Sequence, residues 1–183
     1  MIWAGSVGGD ERFRLFLGLR LPNHVLDRLE RWQAEHLAGR IVGRNNLHIT
    51  LAFLGSRPAS EVPQIAGALA EAATGIGTID LAARRYRETR SVGMVVLDDQ
   101  TGEGGRLAER VFDGLEGLGV YEREKRPWLP HVTVLRFRSA PKLEPPVPEL
   151  GVFSPSDAAV YISRLRPSGA QYDVLESVPL GGD

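Results

Sequence analysis

Apolar and polar positions alternate in some stretches of the chain and recur at helical spacing in others. Alternation with period two is typical of a strand, and recurrence every three to four residues is typical of a helix packed on a core. This pattern predicts seven strands, over residues 13–21, 47–54, 79–83, 92–97, 131–138, 158–165 and 172–180. Three helices are predicted between them, over residues 22–39, 60–73 and 106–118.

The predicted strands and helices mix without the strict alternation that a parallel sheet needs. This order favours an α+β fold with mainly antiparallel strands. The chain of 183 residues is long enough for one domain, which we predict over residues 13–183. Residues 1–12 begin with a short glycine-rich stretch, and we predict that they form a flexible N-terminal extension before the first strand.

One tripeptide pattern occurs twice in predicted strands. The first copy is HIT at residues 48–50, and the second is HVT at residues 131–133. Because alternate side chains of a strand point to one face, each histidine shares a face with its threonine. A single copy is more often structural than catalytic, but two copies in similar strands indicate a shared role. The other histidines, His24 and His36, lie on the first predicted helix and are predicted to be structural.

Two histidines and two threonines together fit the chemistry of a phosphodiester. One imidazole can remove a proton from water while the other protonates the leaving alkoxide. The hydroxyls of Thr50 and Thr133 can donate hydrogen bonds to phosphoryl oxygens. The two motifs are so alike that the residues leave open which of His48 and His131 is the acid and which the base. Neither motif requires a metal, so we expect no cofactor.

Composition narrows the classes of protein to consider. The formal net charge is −1, so a binding site for an anion has to be local. The absence of cysteine excludes disulfides, thiol nucleophiles and thiolate-held zinc. All but two of the 22 basic residues are arginines, a bias that also favours phosphate recognition. No stretch has the length of a membrane span or the pattern of a signal peptide, so we expect a soluble, cytoplasmic protein.

The chain resembles the two-histidine (2H) phosphoesterase superfamily, and within it the LigT-like branch of RNA 2′,3′-cyclic phosphodiesterases, also named 2′-5′ RNA ligases. Four segments carry the resemblance: RLFLGLRLP at residues 14–22, NLHITLAFLG at 46–55, RPWLPHVTVLRFR at 126–138, and the closing hairpin at 160–180. The resemblance extends over nearly the whole chain. The segment RIVGRNN at residues 40–46 departs from the proline-rich segment of the family.

The resemblance implies two pseudo-symmetric lobes, each an antiparallel sheet with outer helices, and a cleft between them. It implies metal-independent opening of a 2′,3′-cyclic phosphate at an RNA end, tRNA fragments included, to leave a 2′-phosphomonoester, with weak reversible 2′-5′ ligation. His48 would be the proton donor and His131 the proton acceptor, with Phe53 and Arg136 binding the terminal nucleotide. We expect a monomer. Two alternatives stay open: an RNA-end binding module without catalysis, and a phosphodiesterase acting on 2′-5′ oligoadenylate or ADP-ribose cyclic phosphate.

Strand periodicity conflicts with the two predicted nucleotide-binding residues. Phe53 follows the first motif histidine by five positions, and Arg136 follows the second by the same number. In an ideal strand an odd offset places a side chain on the opposite face. A bulge in each strand, or a strand end curling over the cleft, is therefore needed to bring these side chains to the histidines.

Overall fold

The computed structural model describes residues 11–181. Within that range the chain forms three helices, α1 (Asn23–His36), α2 (Val62–Ala73) and α3 (Glu103–Gly117). It also forms the strands β1 (Arg12–Arg20), β2 (Arg40–Ile41), β3 (Ile49–Pro58), β4 (Leu81–Glu88), β5 (Val92–Asp99), β6 (His131–Arg136), β7 (Asp157–Arg166) and β8 (Gly169–Pro179). Of the extension predicted over residues 1–12, residues 1–10 lie outside the described range.

The eight strands form one antiparallel sheet, which confirms the predicted α+β class. The strand order is β4-β5-β6-β3-β1-β7-β8, and β2 pairs with β6. The central strands β3 and β6 are joined by one pair of residues, Ile49 and Val132. The sheet therefore consists of two halves, β8-β7-β1-β3 and β6-β5-β4 with β2 on β6, which meet where the two motifs lie.

The helices pack on one face of this sheet and leave the other face open. Alternate residues of β1 separate the two faces: Leu15, Leu17 and Leu19 are fully buried in the core that the buried residues of all three helices share. Phe16 lies on the opposite face, in a small separate cluster with Tyr161. We call this second side the open face. In residues 11–181 no helix is long and apolar enough to span a membrane.

Some predicted boundaries were wrong, for local reasons. β4 runs over Leu81–Glu88 instead of 79–83, because pairing with β5 continues through a charged segment that lacks apolar alternation. α3 begins at Glu103 instead of 106. There the Asp99 carboxylate accepts hydrogen bonds from the backbone N–H groups of Gly102 and Gly105, which holds the glycine-rich segment in a helical turn.

Candidate active site

The two motifs lie side by side on the open face of the sheet. Ile49 and Val132 are paired across β3 and β6, and both point into the core with no exposed surface. Extending this antiparallel register by one residue in each direction places His48 opposite Thr133, and Thr50 opposite His131. Diagonal neighbours of this kind have Cβ atoms about 7–8 Å apart. The pairing of the strands therefore brings both histidines to one place, with a threonine beside each.

Hydrogen bonds fix the ring of His48. Its Nδ1–H donates to the backbone carbonyl of Asn46 at 2.8 Å. Because a carbonyl only accepts, this bond assigns the proton of the neutral imidazole to Nδ1 and leaves Nε2 as an acceptor. The Thr50 hydroxyl lies 2.9 Å from Nε2 and donates to it. Nε2 and the hydroxyl of the same motif therefore stand together on the open face.

The second motif repeats the hydrogen bond at Nδ1. The Nδ1–H of His131 donates to the backbone carbonyl of Leu129 at 2.8 Å, again two residues before the histidine. Its Nε2 and the hydroxyl of Thr133 have no hydrogen-bond partner among the described residues. Both histidines are thus held through Nδ1 by their own preceding strand segment, and both present Nε2 to the same space.

Aromatic rings of the described residues surround His48, and none of the ring contacts within residues 11–181 involves His131. Within the described residues, the His48 ring lies 4.8 Å from Phe16, 5.6 Å from Tyr161 and 5.4 Å from Tyr172, between ring centroids. Phe16 and Tyr161 stack on each other at 4.7 Å. These side chains come from β1, β7 and β8, so the closing hairpin of the chain forms the wall behind the first motif histidine.

This environment makes His48 a weak base. Burial, together with the positive charges of His131 and Arg136, lowers the pKa of His48 to about 4. The hydrogen bond to the Asn46 carbonyl acts in the opposite direction, because it favours a protonated ring. At neutral pH the ligand-free chain therefore holds His48 in its uncharged form, with Nε2 free of a proton.

Gly18 makes room for the His48 ring. It lies opposite Thr50 in the pairing of β1 with β3. A Cβ atom at this position would come within 2.9 Å of the Ile49 carbonyl oxygen and 3.4 Å of both the His48 and the Tyr161 rings. Real Cβ atoms essentially never approach other atoms closer than 3.0 Å. Any side chain at position 18 would therefore displace the backbone of the first motif.

A bulge in β3 turns Phe53 toward the histidines. In the pairing of β1 with β3, Leu51 has no partner, so the alternation of β3 shifts by one residue after the motif. Phe53 then stands opposite Phe16, and directly opposed residues share a face. Because the Phe16 ring contacts His48, Phe53 lies on the open face as well, with half of its surface exposed.

A second bulge, in β6, does the same for Arg136. Val134 has no partner in β5, which shifts the alternation of β6 at the same distance after its histidine. The Arg136 guanidinium donates to the hydroxyl of Tyr172 at 3.3 Å, and the Tyr172 ring contacts His48. The bulge required by strand periodicity is thus present in both strands, and all six predicted site residues lie on the open face.

A buried glutamine supports the second bulge. The side-chain amide of Gln33, on α1, donates to the carbonyls of Val134 and Val42, each at 3.0 Å. Gln33 is 2% exposed, and it is the single buried polar side chain in the described part of the chain. A bulge leaves its extra residue unpaired in the ladder, and Gln33 helps to satisfy that residue's carbonyl.

A tryptophan connects the two motifs. Trp128 precedes the second motif, and its Nε1–H donates to the backbone carbonyl of Thr50 in the first, at 2.9 Å. Gly104 of α3 packs against the same ring, where a Cβ would lie 3.2 Å from it. The backbone that carries the first threonine is therefore held by the segment that delivers His131.

Positive charge dominates around the histidines. The Arg14 guanidinium lies 5.0 Å over the Phe53 ring. Arg44, from the segment that departs from the family pattern, is instead ion-paired with Asp27 and Glu30 at 2.7 and 2.6 Å. Residues 11–181 contain no group of three histidine or carboxylate side chains placed to hold a metal ion. The site thus offers imidazoles, hydroxyls and guanidinium groups to an anion.

Sequence reasoning did not single out the residues that support the site. Phe16, Gly18, Gln33 and Trp128 act through contacts with partners distant in the sequence. The sequence itself contains one indication of the bulges. Two consecutive apolar residues follow each motif, at 51–52 and 134–135, and both members of each pair are buried. Such a doublet breaks the alternation of a strand and is what a bulge requires.

Comparisons with known proteins agree with this geometry. Residues 19–90 match the family model described as LigT like phosphoesterase. A protein of Thermus thermophilus named RNA 2′,3′-cyclic phosphodiesterase is 32% identical over 93% of this chain and 91% of its own length. A protein of the same name from Escherichia coli is 28% identical over 89% of this chain and 94% of its own.

Solved structures share the fold. The crystal structure of TT0787 from Thermus thermophilus superimposes with a TM-score of 0.79 and 29% identity, covering 93% of this chain and 99% of that one. LigT from Escherichia coli, complexed with NADP+, gives a TM-score of 0.78 and 24% identity, covering 94% of this chain and 100% of that one. With a relative 32% identical along nearly the whole of both chains, the chain belongs to the LigT-like phosphoesterase family.

Proposed function

We propose that the chain hydrolyses the 2′,3′-cyclic phosphate at an RNA end to a 2′-phosphomonoester, without a metal. The observation that carries this proposal is the convergence of two histidine–threonine pairs across β3 and β6 on the open face. The relatives from Thermus thermophilus and Escherichia coli, both named RNA 2′,3′-cyclic phosphodiesterase, support it. We propose a single chain as the acting form, because both motifs come from one chain, and RNA ends such as those of tRNA fragments as substrates.

The proposed reaction needs one proton acceptor and one proton donor. His131 removes a proton from water, the water oxygen forms a bond to phosphorus, and the bond from phosphorus to the 3′ oxygen breaks. His48 gives a proton to that departing oxygen. In weak 2′-5′ ligation the 5′-hydroxyl of a second RNA takes the place of water: its oxygen forms a bond to phosphorus, the bond from phosphorus to the 3′ oxygen breaks, and a 2′-5′ phosphodiester is left. The reverse of that step forms the cyclic phosphate again and releases the 5′-hydroxyl. Thr50 and Thr133 donate hydrogen bonds to the phosphoryl oxygens as charge develops there.

The nucleotide at the RNA end is proposed to bind beside the histidines. Phe53 offers an exposed ring and Arg136 a planar guanidinium group on the same face. Base stacking on aromatic rings contributes about 1–3 kcal/mol per base and tolerates any sequence. These two residues would therefore hold the end of many different RNAs.

A donor role for His48 sets a condition on the bound state. Because its pKa is about 4 in the ligand-free chain, His48 has to gain a proton when the anionic substrate binds. The negative charge of a phosphate raises the pKa of a nearby imidazole. NMR titration of the His48 ring, free and bound to a 2′-nucleotide product, tests this. A bound ring that stays neutral at pH 6 would contradict the donor role and favour the reverse assignment.

The experiment for the function is an assay of product identity. A dinucleotide with a 2′,3′-cyclic phosphate is incubated with the protein and EDTA, and phosphorus NMR identifies the product. We expect a 2′-phosphate, which His48→Ala and His131→Ala should each abolish. His36→Ala, which changes a histidine on α1, should keep full activity and is the matched control.

Other outcomes point to the alternatives. Binding of the dinucleotide without turnover would favour a binding module. Faster turnover of 2′-5′ oligoadenylate or ADP-ribose cyclic phosphate than of the RNA end would favour a phosphodiesterase of small nucleotides.

A further inference from the structure

Two arginines of the edge strand β4 lie in register with the second motif. Arg85 pairs with a β5 residue, Val96, which in turn pairs with His131. Arg87 is connected in the same way, through Met94, to Thr133. Opposed residues of neighbouring strands share a face, so both arginines project from the open face.

These two arginines carry no counter-charge. Arg85 and Arg87 are exposed, and neither forms a hydrogen bond or ion pair with another described residue. Their neighbour Arg84, the extra residue at a register shift of β4, lies 3.6 Å from the Asp98 carboxylate. Arg20, on β1, is likewise paired with Asp157 at 3.1 Å. The free positive charge of β4 is therefore confined to the side that faces the histidines.

The opposite edge of the sheet lacks such charge. By the pairing of β8 with β7, the β8 residues on the open face within the described range are Ala170, Tyr172, Val174, Ser177 and Pro179. None of them is basic. A polyanion that runs from the histidine site to the β8 edge thus meets no basic residue on that strand, whereas across β5 it meets Arg85 and Arg87 on β4. Another guanidinium group on the open face, that of Arg14 on β1, lies over the Phe53 ring beside the site. Two strand spacings, about 10 Å, separate His131 from Arg85, a distance that a few nucleotides span.

We propose that Arg85 and Arg87 bind backbone phosphates of single-stranded RNA on the 5′ side of the cyclic phosphate. The preferred substrate would then be an RNA chain of several nucleotides. Guanidinium groups bind phosphate oxygens in a bidentate manner, and such contacts position a strand without reading its sequence. This inference rests on the proposed function, and it adds a binding surface that lies beyond the reacting nucleotide.

The test compares two substrates and two variants. The substrates are a 2′,3′-cyclic mononucleotide and a ten-nucleotide RNA with the same cyclic end. In the double variant Arg85→Gln, Arg87→Gln we expect KM for the RNA to rise by about tenfold, with kcat unchanged and with both constants for the mononucleotide unchanged. The matched control is Arg84→Gln, which alters the neighbouring arginine and should change neither substrate.

Salt dependence gives a second measurement of the same contacts. Each phosphate contact to a single strand contributes a slope of about −0.7 to the logarithm of affinity against the logarithm of salt concentration. Loss of two contacts should therefore make the slope for the RNA shallower by roughly 1.4. The slope for the mononucleotide should not change.

The results separate this inference from the proposed function. Equal losses on both substrates, or no loss on the RNA, would overturn the role of Arg85 and Arg87 while leaving cyclic phosphate hydrolysis in place. No turnover of either substrate by the wild-type chain would overturn the proposed function. In that case fluorescence anisotropy with labelled RNA still tests the role of Arg85 and Arg87. The double variant should bind the RNA about tenfold more weakly than the wild type. Unchanged binding would contradict the inference.

Discussion

His48 and His131 have the same local sequence and different surroundings. Each donates its Nδ1–H to the carbonyl two residues earlier, so each presents Nε2 to the open face. Among the described residues, aromatic rings such as those of Phe16 and Tyr161 pack against His48, and none packs against His131. Acid–base chemistry with two imidazoles needs one to be protonated and the other neutral. Desolvation disfavours the charged form of an imidazole, and it is the main cause of the low pKa of His48.

The low pKa of His48 predicts a loss of stability in acid. An unfolded chain protonates this histidine near pH 6.5, whereas the folded chain resists protonation until about pH 4. The stability that comes from the neutral ring is complete above pH 6.5 and is lost as the pH falls toward 4. Because one pKa unit corresponds to about 1.4 kcal/mol, the loss is roughly 3 kcal/mol.

Urea unfolding of the wild type and of His48→Gln at several pH values measures this effect. The other titrating groups are the same in both proteins, so their contributions cancel when one unfolding free energy is subtracted from the other. The difference should fall by roughly 3 kcal/mol between pH 7 and pH 4. A difference that is constant over this interval would show that His48 titrates alike in the folded and unfolded chains.

The sequence predicted the two motifs, but it could not show which histidine packs against aromatic rings. The motifs are nearly identical, and the rings around His48 come from β1, β7 and β8. Their contact with the histidine depends on the order of strands in the sheet, which periodicity within one strand does not determine. The pairing of β1 with both β3 and β7 brings these rings together.

Among the strands, β3 and β6 show how a break in regularity builds the site. In each strand the pairing skips the residue three positions after the histidine, Leu51 in the pairing of β3 with β1 and Val134 in the pairing of β6 with β5. The two bulges turn Phe53 and Arg136 onto the open face. Ideal alternation predicts the opposite orientation, so the side chains that depend on the bulges were the least predictable part of the site.

The bulge in β6 predicts a role for Gln33 in positioning Arg136. Gln33→Leu removes the amide that donates to the Val134 and Val42 carbonyls. The Val134 carbonyl keeps the Val42 N–H at 3.1 Å, whereas the Val42 carbonyl loses its donor. A buried group that loses its partner costs about 1–3 kcal/mol, so the unfolding free energy should fall by that amount. At a temperature where the variant is fully folded, KM for the cyclic phosphate should also rise severalfold, because Arg136 is no longer held in place.

A matched variant separates this positioning role from a general loss of stability. Val25→Ala creates a cavity on the same helix, where Val25 is fully buried, and it should reduce stability without changing KM. A normal KM in Gln33→Leu would mean that β6 keeps its bulge without the glutamine.

The sheet as a unit explains why the site lies where it does. One residue pair joins its two halves, and each half carries one motif at the junction. Behind the sheet, α2 and α3 approach closely at Ala68 and Gly114, where a Cβ on the glycine would lie 3.5 Å from the alanine Cβ. The sequence predicted the three helices, every strand except β2, and the duplication, whereas the joining of both halves into one sheet came from pairings distant in the chain. The geometry of the histidines thus depends on contacts that cross the junction.

Trp128 makes one such contact, and loss of its hydrogen bond should disturb the alignment of the two halves of the sheet. Trp128→Phe keeps an aromatic ring and removes the N–H that donates to the Thr50 carbonyl. Trp32→Phe is a matched control, since its Nε1–H donates to the Pro146 carbonyl at 2.8 Å, at a site formed by other residues. Each variant should lose about 1 kcal/mol of unfolding free energy.

The activity of the two variants should differ. Misplacement of reacting groups by about 1 Å costs on the order of 100-fold in rate. We expect kcat/KM to fall about tenfold in Trp128→Phe and to stay unchanged in Trp32→Phe. Equal activity in both variants would mean that the single pair of Ile49 and Val132 is enough to align the two motifs.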